Sequence, residues 1–255
     1  LSSLKASYKY LALLGLLLFP TNCSVEKNTP SSRFYHSLTS RYNIFFNGNE
    51  SFKSGVSKVI RGYTDDYAEL LRVFEYSDPA SPSRCSSDME RAIQKASKLI
   101  SLKSMTAKPE IKDKTKISEQ DQALLERKEY NKWVDDSYLL IGKARFYKQE
   151  YNEAAPVFEY CIKEANDPEI KTEASIWLSR IYNESGKYAE GFRILNEMDL
   201  KNESSGSLKS MYYTTLADLF IKQKKYSEAA DPLSKAIKLV SGKRANTGLL
   251  TCWHR

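Results

Sequence analysis

Between Tyr138 and Ala236 the chain repeats one pattern of apolar and polar positions three times. The stretches "YLLIGKARFYKQEYNEAAPVFEYC", "SIWLSRIYNESGKYAEGFRILNEM" and "YTTLADLFIKQKKYSEAADPLSKA", starting at Tyr138, Ser175 and Tyr213, align without a gap. The matched positions are Tyr138, Ser175 and Tyr213; Ile141, Leu178 and Leu216; Gly142, Ser179 and Ala217; Arg145, Tyr182 and Phe220. After a short polar turn follow Tyr151, Tyr188 and Tyr226; Ala154, Gly191 and Ala229; Phe158, Leu195 and Leu233; and Cys161, Met198 and Ala236. Spacings of three, four and seven on each side of the turn predict a pair of amphipathic helices per stretch.

Two antiparallel helices approach closely only where one presents Gly, Ala or Ser, and large residues one turn away fill the groove toward the next pair. A single pair leaves an apolar face in water, so pairs stack. The expected fold is all-α, a solenoid of neighbouring helix pairs. These columns resemble the tetratricopeptide repeat. The small-residue column runs Ala154, Gly191, Ala229, steps of 37 and then 38 residues, longer than the consensus of about 34. The surplus is assigned to the connections "EANDPEIKTE" and "DLKNESSGSLKS". Pro156 and Pro232 fall early in the second helices, where a local bend is expected. Inward aromatics such as Tyr182 and Phe220 read as core rather than as a ligand cage.

On the same ruler, Phe52, Gly55 and Val59 take the Tyr, Ala and Phe columns, and Tyr42 and Phe46 the Leu and aromatic columns. "YNIFFNGNESF" (42–52) therefore reads as a helix end, a turn at "NGN" and a second helix start, with Phe46 and Phe52 placed to pack. Asn-Gly also suits a strand hairpin, but Val56, Val59 and Ile60 are spaced for a helix. A further helix is expected at "MERAIQKASKLI" (89–100), packing through Ala92 and Ala96, with "YTDDYAELLRVFEY" (63–76) as its partner helix. "SDPASPSRCSS" reads as a loop and "KSMTAKPEIKDKTK" as a mobile basic connection.

The N-terminus has a different pattern. Lys5 and Lys9 precede the apolar run "LALLGLLLFP" (11–20), too short for a spanning helix of about 20 residues and suited to an export signal. A buried core helix is the alternative, and the basic flank argues against it. Cys23 follows directly, and "FPTNC" resembles a relaxed lipoprotein box, although Pro20, Thr21 and Asn22 are not the small residues of the strict pattern. Acylation of Cys23 would anchor a soluble domain to a bilayer; an ordinary cleaved or structural cysteine is the alternative. The expected organisation is a lipoprotein signal peptide (1–22), a lipid-anchored tether (23–34), diverged helix pairs with a basic loop (35–118), three repeats (119–240) and a non-repeat tail (241–255).

Composition adds limits. Of 255 residues, 41% are hydrophobic and 28% charged, an ordinary folded balance. The net charge of +7 suggests a solvated face or anionic lipid or protein contacts, since an exported chain does not routinely meet nucleic acid. Cys85, Cys161 and Cys252 are widely spaced with no CxxC, so a disulfide cannot be deduced, and Cys161 sits where a packed thiol fits. Only His36 and His254 are histidines, and they support neither a metal cluster nor a nucleophile dyad. "SGKRANT" (241–247) lacks the upstream Gly of a phosphate loop, Ile237 standing in its place. Asp135 and Asp136 diverge by about 100° on a helix and read as capping or charge at a helix start. No enzyme, metal or cofactor is predicted.

The order "CS..KNT" (23–29), "HSLTSRYNIFFNGNESF" (36–52), "AIQKASK" and "KWVDDSYLLIGKARFYKQEYNEAAPVF" (132–158) resembles the SprE/PorW tetratricopeptide lipoproteins of Bacteroidetes, from Cys23 to about residue 244. "YNIFFNGNES" and "DDSYLLIGKARFY" carry the resemblance. It implies a non-enzymatic lipoprotein on the periplasmic face of the outer membrane, a scaffold for protein subunits of the type IX secretion and gliding machinery. A glycan-capturing nutrient-uptake lipoprotein with tetratricopeptide helices and a general outer-membrane assembly scaffold are the alternatives. The chain begins at Leu1 rather than Met, and its end, "ANTGLLTCWHR", departs from the family's further repeats; truncation or a frame shift is expected there.

Overall fold

A computed structural model describes residues 25–110, 117–198, 200 and 205–247, the last eight as backbone alone. Cys23, the apolar leader, the basic stretch 111–116 and the tail beyond 247 lie outside the described residues. Every regular element among those residues is helical.

Helix α1 (Pro30–Thr39) starts at Thr29, whose Oγ1 accepts a hydrogen bond from the Ser32 N–H at 3.2 Å, with Pro30 at the first position, where a missing N–H is harmless. It continues through a π-helical segment (Ser40–Phe45) into α2 (Phe46–Gly62). Thr39, Ser40, Phe45 and Phe46 all keep right-handed helical dihedrals, and the Phe46 N–H donates to the Arg41 carbonyl. Asn47-Gly48-Asn49 lies inside this rod, which corrects the expected turn. A Cβ on Gly48 would sit 3.1 Å from the Lys95 Cβ, so the glycine serves a close helix crossing rather than a reversal. Phe52 is buried, but Phe46 and Tyr42 are exposed and do not pack.

Residues 63–74 are not helical, and a 3-10 turn (Glu75–Ser77) follows. This corrects the partner helix expected at 63–76; burial of Phe74 and Tyr76 elsewhere in the fold overrides local helix propensity. Helix α3 (Ser81–Lys103) absorbs most of the supposed loop "SDPASPSRCSS", with Pro82 in its first turn. Its partner is α2: a Cβ on Gly55 would lie 2.7 Å from the Met89 Cε and 3.4 Å from the Cys85 Cβ. Ala92 and Ala96 are buried on the same helix.

A short α4 (Glu119–Glu126) precedes α5 (Lys132–Tyr147), α6 (Tyr151–Glu164), α7 (Pro168–Glu184), α8 (Tyr188–Glu197), α9 (Gly206–Lys222) and α10 (Tyr226–Thr247). The pairs α5–α6, α7–α8 and α9–α10 stack, with α5 beside α7 and α7 beside α9, while α3 bridges α2 and α5. Pro156 lies in α6 and Pro232 in α10. The surplus length of the repeat is not mainly in the connections: Pro168 to Glu173 form the first turns of the 17-residue α7, which Asp167 caps by accepting from the Glu169 N–H at 2.8 Å. The backbone of α10 stays helical to Thr247, into the segment read as a tail.

Each pair turns in the same way. Gln149, Gly186 and Lys224 adopt φ of 57°, 72° and 61°, the left-handed conformation that closes a helix. After α5, the Gln149 N–H donates to the Phe146 carbonyl at 2.8 Å and the Glu150 N–H to the Arg145 carbonyl at 3.0 Å. The same two bonds recur from Gly186 and Lys187 to Asn183 and Tyr182, and from Lys224 and Lys225 to Ile221 and Phe220. Paired 5→2 and 6→1 bonds satisfy the terminal carbonyls, so the repeat extends to backbone dihedrals that only one glycine announces.

Candidate partner-binding face

The repeat-packing positions divide by burial. Ile141, Gly142, Ala154, Phe158, Leu178, Gly191, Leu195, Ala217 and Ala229 are buried. Tyr138, Tyr151, Tyr182, Tyr188, Leu216, Phe220 and Leu233 are half-buried. Gly142 marks the closest crossing, since a Cβ there would fall 2.6 Å from the Phe158 ring. Tyr226 departs from its column and is exposed. In the first pair Tyr151 rests on the Phe146 ring, with centroids 5.5 Å apart; the position equivalent to Phe146 in the third pair is Ile221, which offers no such ring.

Asp135 and Asp136 stand near the start of α5 with separate roles. Asp135 Oδ2 accepts from the Asn166 N–H at 2.9 Å, pinning the turn between α6 and α7. Burial raises the pKa of Asp135 despite that bond. Asp136 is pushed up to about 6, by burial first and then by the charges of Asp135 and Asp167. The thiols of Cys85 and Cys161 are free and buried, and burial pushes them up to about 11 and about 12. Such thiols are poor nucleophiles at neutral pH.

The first helices of the pairs, α5, α7 and α9, lie side by side and form the face on which a helical-repeat array would receive an extended segment. Here the chain's own connection between α2 and α3 lies on it. The Phe74 and Tyr76 rings stack at 4.7 Å. Tyr76 meets Phe146 edge-on at 4.8 Å, with Tyr147 at 5.7 Å and Trp177 at 6.5 Å. The Arg180 guanidinium lies 4.5 Å from both the Phe74 and the Trp177 ring centroids, while its Nε donates to Thr215 Oγ1 at 2.9 Å. Arg180 is only 4% exposed, and the two aromatic faces compensate its desolvated charge. Burial pushes the Tyr76 phenol well above its usual value, opposed by the nearby Arg180 charge.

Polar contacts fix the register of this strap. The Gln149 amide donates to the carbonyls of Tyr76 and Asp78 at 3.2 and 3.1 Å, reaching from the left-handed turn after α5. The Ser77 hydroxyl donates to Glu184 Oε1 at 2.6 Å, and the same oxygen pairs with Lys222 at 2.6 Å. Lys222 also pairs with Asp218 at 2.9 Å, so α7, α9 and the strap share one charge network. The column Lys143, Arg180, Asp218 supplies polar groups to the first-helix face. Lys143 pairs with Glu173 at 2.9 Å, and although burial favours the neutral acid, Lys143 and the Trp177 N–H hold Glu173 below its usual range. Sequence reasoning missed the strap residues Phe74 and Tyr76 and their partners Trp177, Arg180 and Gln149. A charged residue recurring directly after the small-residue column in all three first helices, as Lys143, Arg180 and Asp218, was the available signal.

Residues 86–250 match the tetratricopeptide repeat-like domain. The chain belongs to that family. A search of curated proteins finds no match. The tetratricopeptide repeat-like fold is typically a non-catalytic scaffold for protein contacts, and the stacked helix pairs of this chain share that fold. Among the described residues, no helix is long and apolar enough to cross a membrane.

Proposed function

We propose that this tetratricopeptide repeat-like protein is a lipid-anchored scaffold at the periplasmic face of the outer membrane, joining subunits of the type IX secretion and gliding machinery. The observation that carries the reading is the presence of both "YNIFFNGNES" and "DDSYLLIGKARFY" in one chain, in the order in which SprE/PorW lipoproteins resemble it. The repeat array supports protein partners, and the basic flank, apolar run and Cys23 support export and anchoring. Because residues 74–78 occupy the first-helix face near α5 and α7, the reading assigns partner contacts to other surfaces of the array.

Cross-linking in intact cells followed by affinity purification from the membrane fraction tests it. Recovery of secretion-machine subunits is expected, and Cys23→Ala should move the protein to the soluble periplasmic fraction. Calorimetric binding of an oligosaccharide, with no cross-linked protein partner, would overturn the scaffold reading.

A further inference from the structure

Along α1 and the π segment the usual arrangement of a surface helix is inverted. Ser32, His36 and Ser40 face inward and are buried. Outward stand Phe34 at 70%, Leu38 at 45%, Tyr42 at 58% and Phe46 at 55% exposure. The inner side is held by polar contacts: the Asn131 amide donates to Ser40 Oγ at 2.8 Å, and the Trp133 indole N–H donates to Ser37 Oγ at 3.2 Å. An isolated apolar residue on a surface is ordinary, but four in register, above a buried polar seam, form an unpartnered apolar face.

The π segment keeps that face straight. In an α-helix, residues four apart drift by about 40° per step, since each residue turns about 100°. The wider π turn advances less per residue, so the segment Ser40–Phe45 offsets the drift between Leu38 and Phe46. The face therefore stays close to one line from Phe34 to Phe46.

Its charge pattern identifies the partner. From Lys27 to Asn49 there is no acidic residue, whereas Lys27, Arg33 and Arg41 are basic. Glu26 and Glu50 bound this segment, Glu50 paired with Lys53 at 2.8 Å, so the net charge along the stripe is positive, which suits the headgroup level of an anionic bilayer, where rings sit at the boundary and basic groups meet phosphate. Six residues separate Cys23 from Pro30, a reach of at most roughly 25 Å over the seven steps between them. We propose that Phe34, Leu38, Tyr42 and Phe46 seat the N-terminal helix in the interfacial layer of an anionic lipid bilayer. This inference rests on the lipid-anchor reading for its setting, and on the stripe alone for its chemistry.

The test uses the chain from residue 23 onward, which contains every helix described above, carrying Cys23→Ser so that no acyl group contributes. Co-sedimentation with vesicles of phosphatidylethanolamine and phosphatidylglycerol is compared with vesicles of phosphatidylcholine alone. Binding is expected to favour the anionic vesicles and to fall roughly tenfold or more on combining Phe34→Ser, Leu38→Ser, Tyr42→Ser and Phe46→Ser. A second variant, Tyr42→Trp, is expected to gain emission quenched by brominated lipid chains. Vesicle binding unchanged by the four substitutions, or a Tyr42→Trp signal that bromolipid does not quench, overturns the proposal. So does loss of self-association in the fourfold variant without any vesicle binding, which would make a second copy the partner. Mass measurement of Cys23 in the native protein separates the two readings. An unmodified Cys23 with stripe-dependent vesicle binding removes the anchor alone, and an acylated Cys23 without it removes the stripe alone.

Discussion

Lys224 occupies the left-handed turn position that Gly186 fills in the preceding repeat, and it is exposed. A side chain in that conformation costs about 1–2 kcal/mol, partly offset by the unfolded-state freedom that glycine adds. Lys224→Gly should therefore stabilise the protein by about 0.5–1 kcal/mol, read as a rise in the urea midpoint with an unchanged slope. Gln149 has the same geometry but holds the strap through its amide, so the corresponding substitution there removes contacts as well. Asp136 gives a pH signature. Its folded pKa near 6 lies above the 3.8 of an ordinary aspartate. Between these values the folded state holds the proton more tightly, so this group's contribution to stability falls as pH rises from about 4 to 6 and stays reduced above that. Asp136→Asn should match the native protein near pH 4 and exceed it at pH 7 by about 1–3 kcal/mol, measured by urea unfolding at both pH values.

At the level of elements, the helices of the three repeats were legible because Gly142, Ala154, Phe158 and their counterparts recur at fixed spacing, and a solenoid turns such spacing directly into contact. The strap was not legible. "YTDDYAELLRVFEY" has adequate helical pattern, and only the long-range seat made by Phe146, Trp177 and Arg180 draws Phe74 and Tyr76 away from it. The inverted stripe was missed for the opposite reason. Periodicity marks which residues share a face, but it does not state which face is inside, and Phe46 was placed in the core on that account. Tyr76→Ala should destabilise the fold by about 3 kcal/mol and open residues 63–74 to limited proteolysis. Tyr67→Ala, at a ring 83% exposed, should change stability by no more than about 0.5 kcal/mol. Equal protease resistance in the two variants would show that the seat does not hold the connection.

For the whole molecule, the apolar core runs as one cluster from Phe52 in α2 through α3, α5 and α6 to Ile181 in α7. Ile194 and Met211 only partly join it, and Leu219, Ala229 and Ala236 are buried outside it. Repeat arrays are stabilised by nearest neighbours, so units outside a shared core open at lower free energy. Amide hydrogen exchange should accordingly be faster in α9 and α10 than in α3, α5 and α6, and uniform protection across all of them would contradict this division. The strap sits at the junction, touching both the core helices and, through Glu184 and Lys222, the last pair.

That placement also acts as arithmetic on affinity. A segment tethered at both ends competes for its seat at an effective concentration on the order of millimolar, so a free peptide must be supplied near that level to compete on equal contacts. If Phe74 and Tyr76 hold the seat by about 3 kcal/mol, an outside peptide aimed at the same aromatic nest binds roughly a hundredfold more weakly than its contacts alone would predict. The strap thus raises the threshold that any extended segment must clear to take this seat.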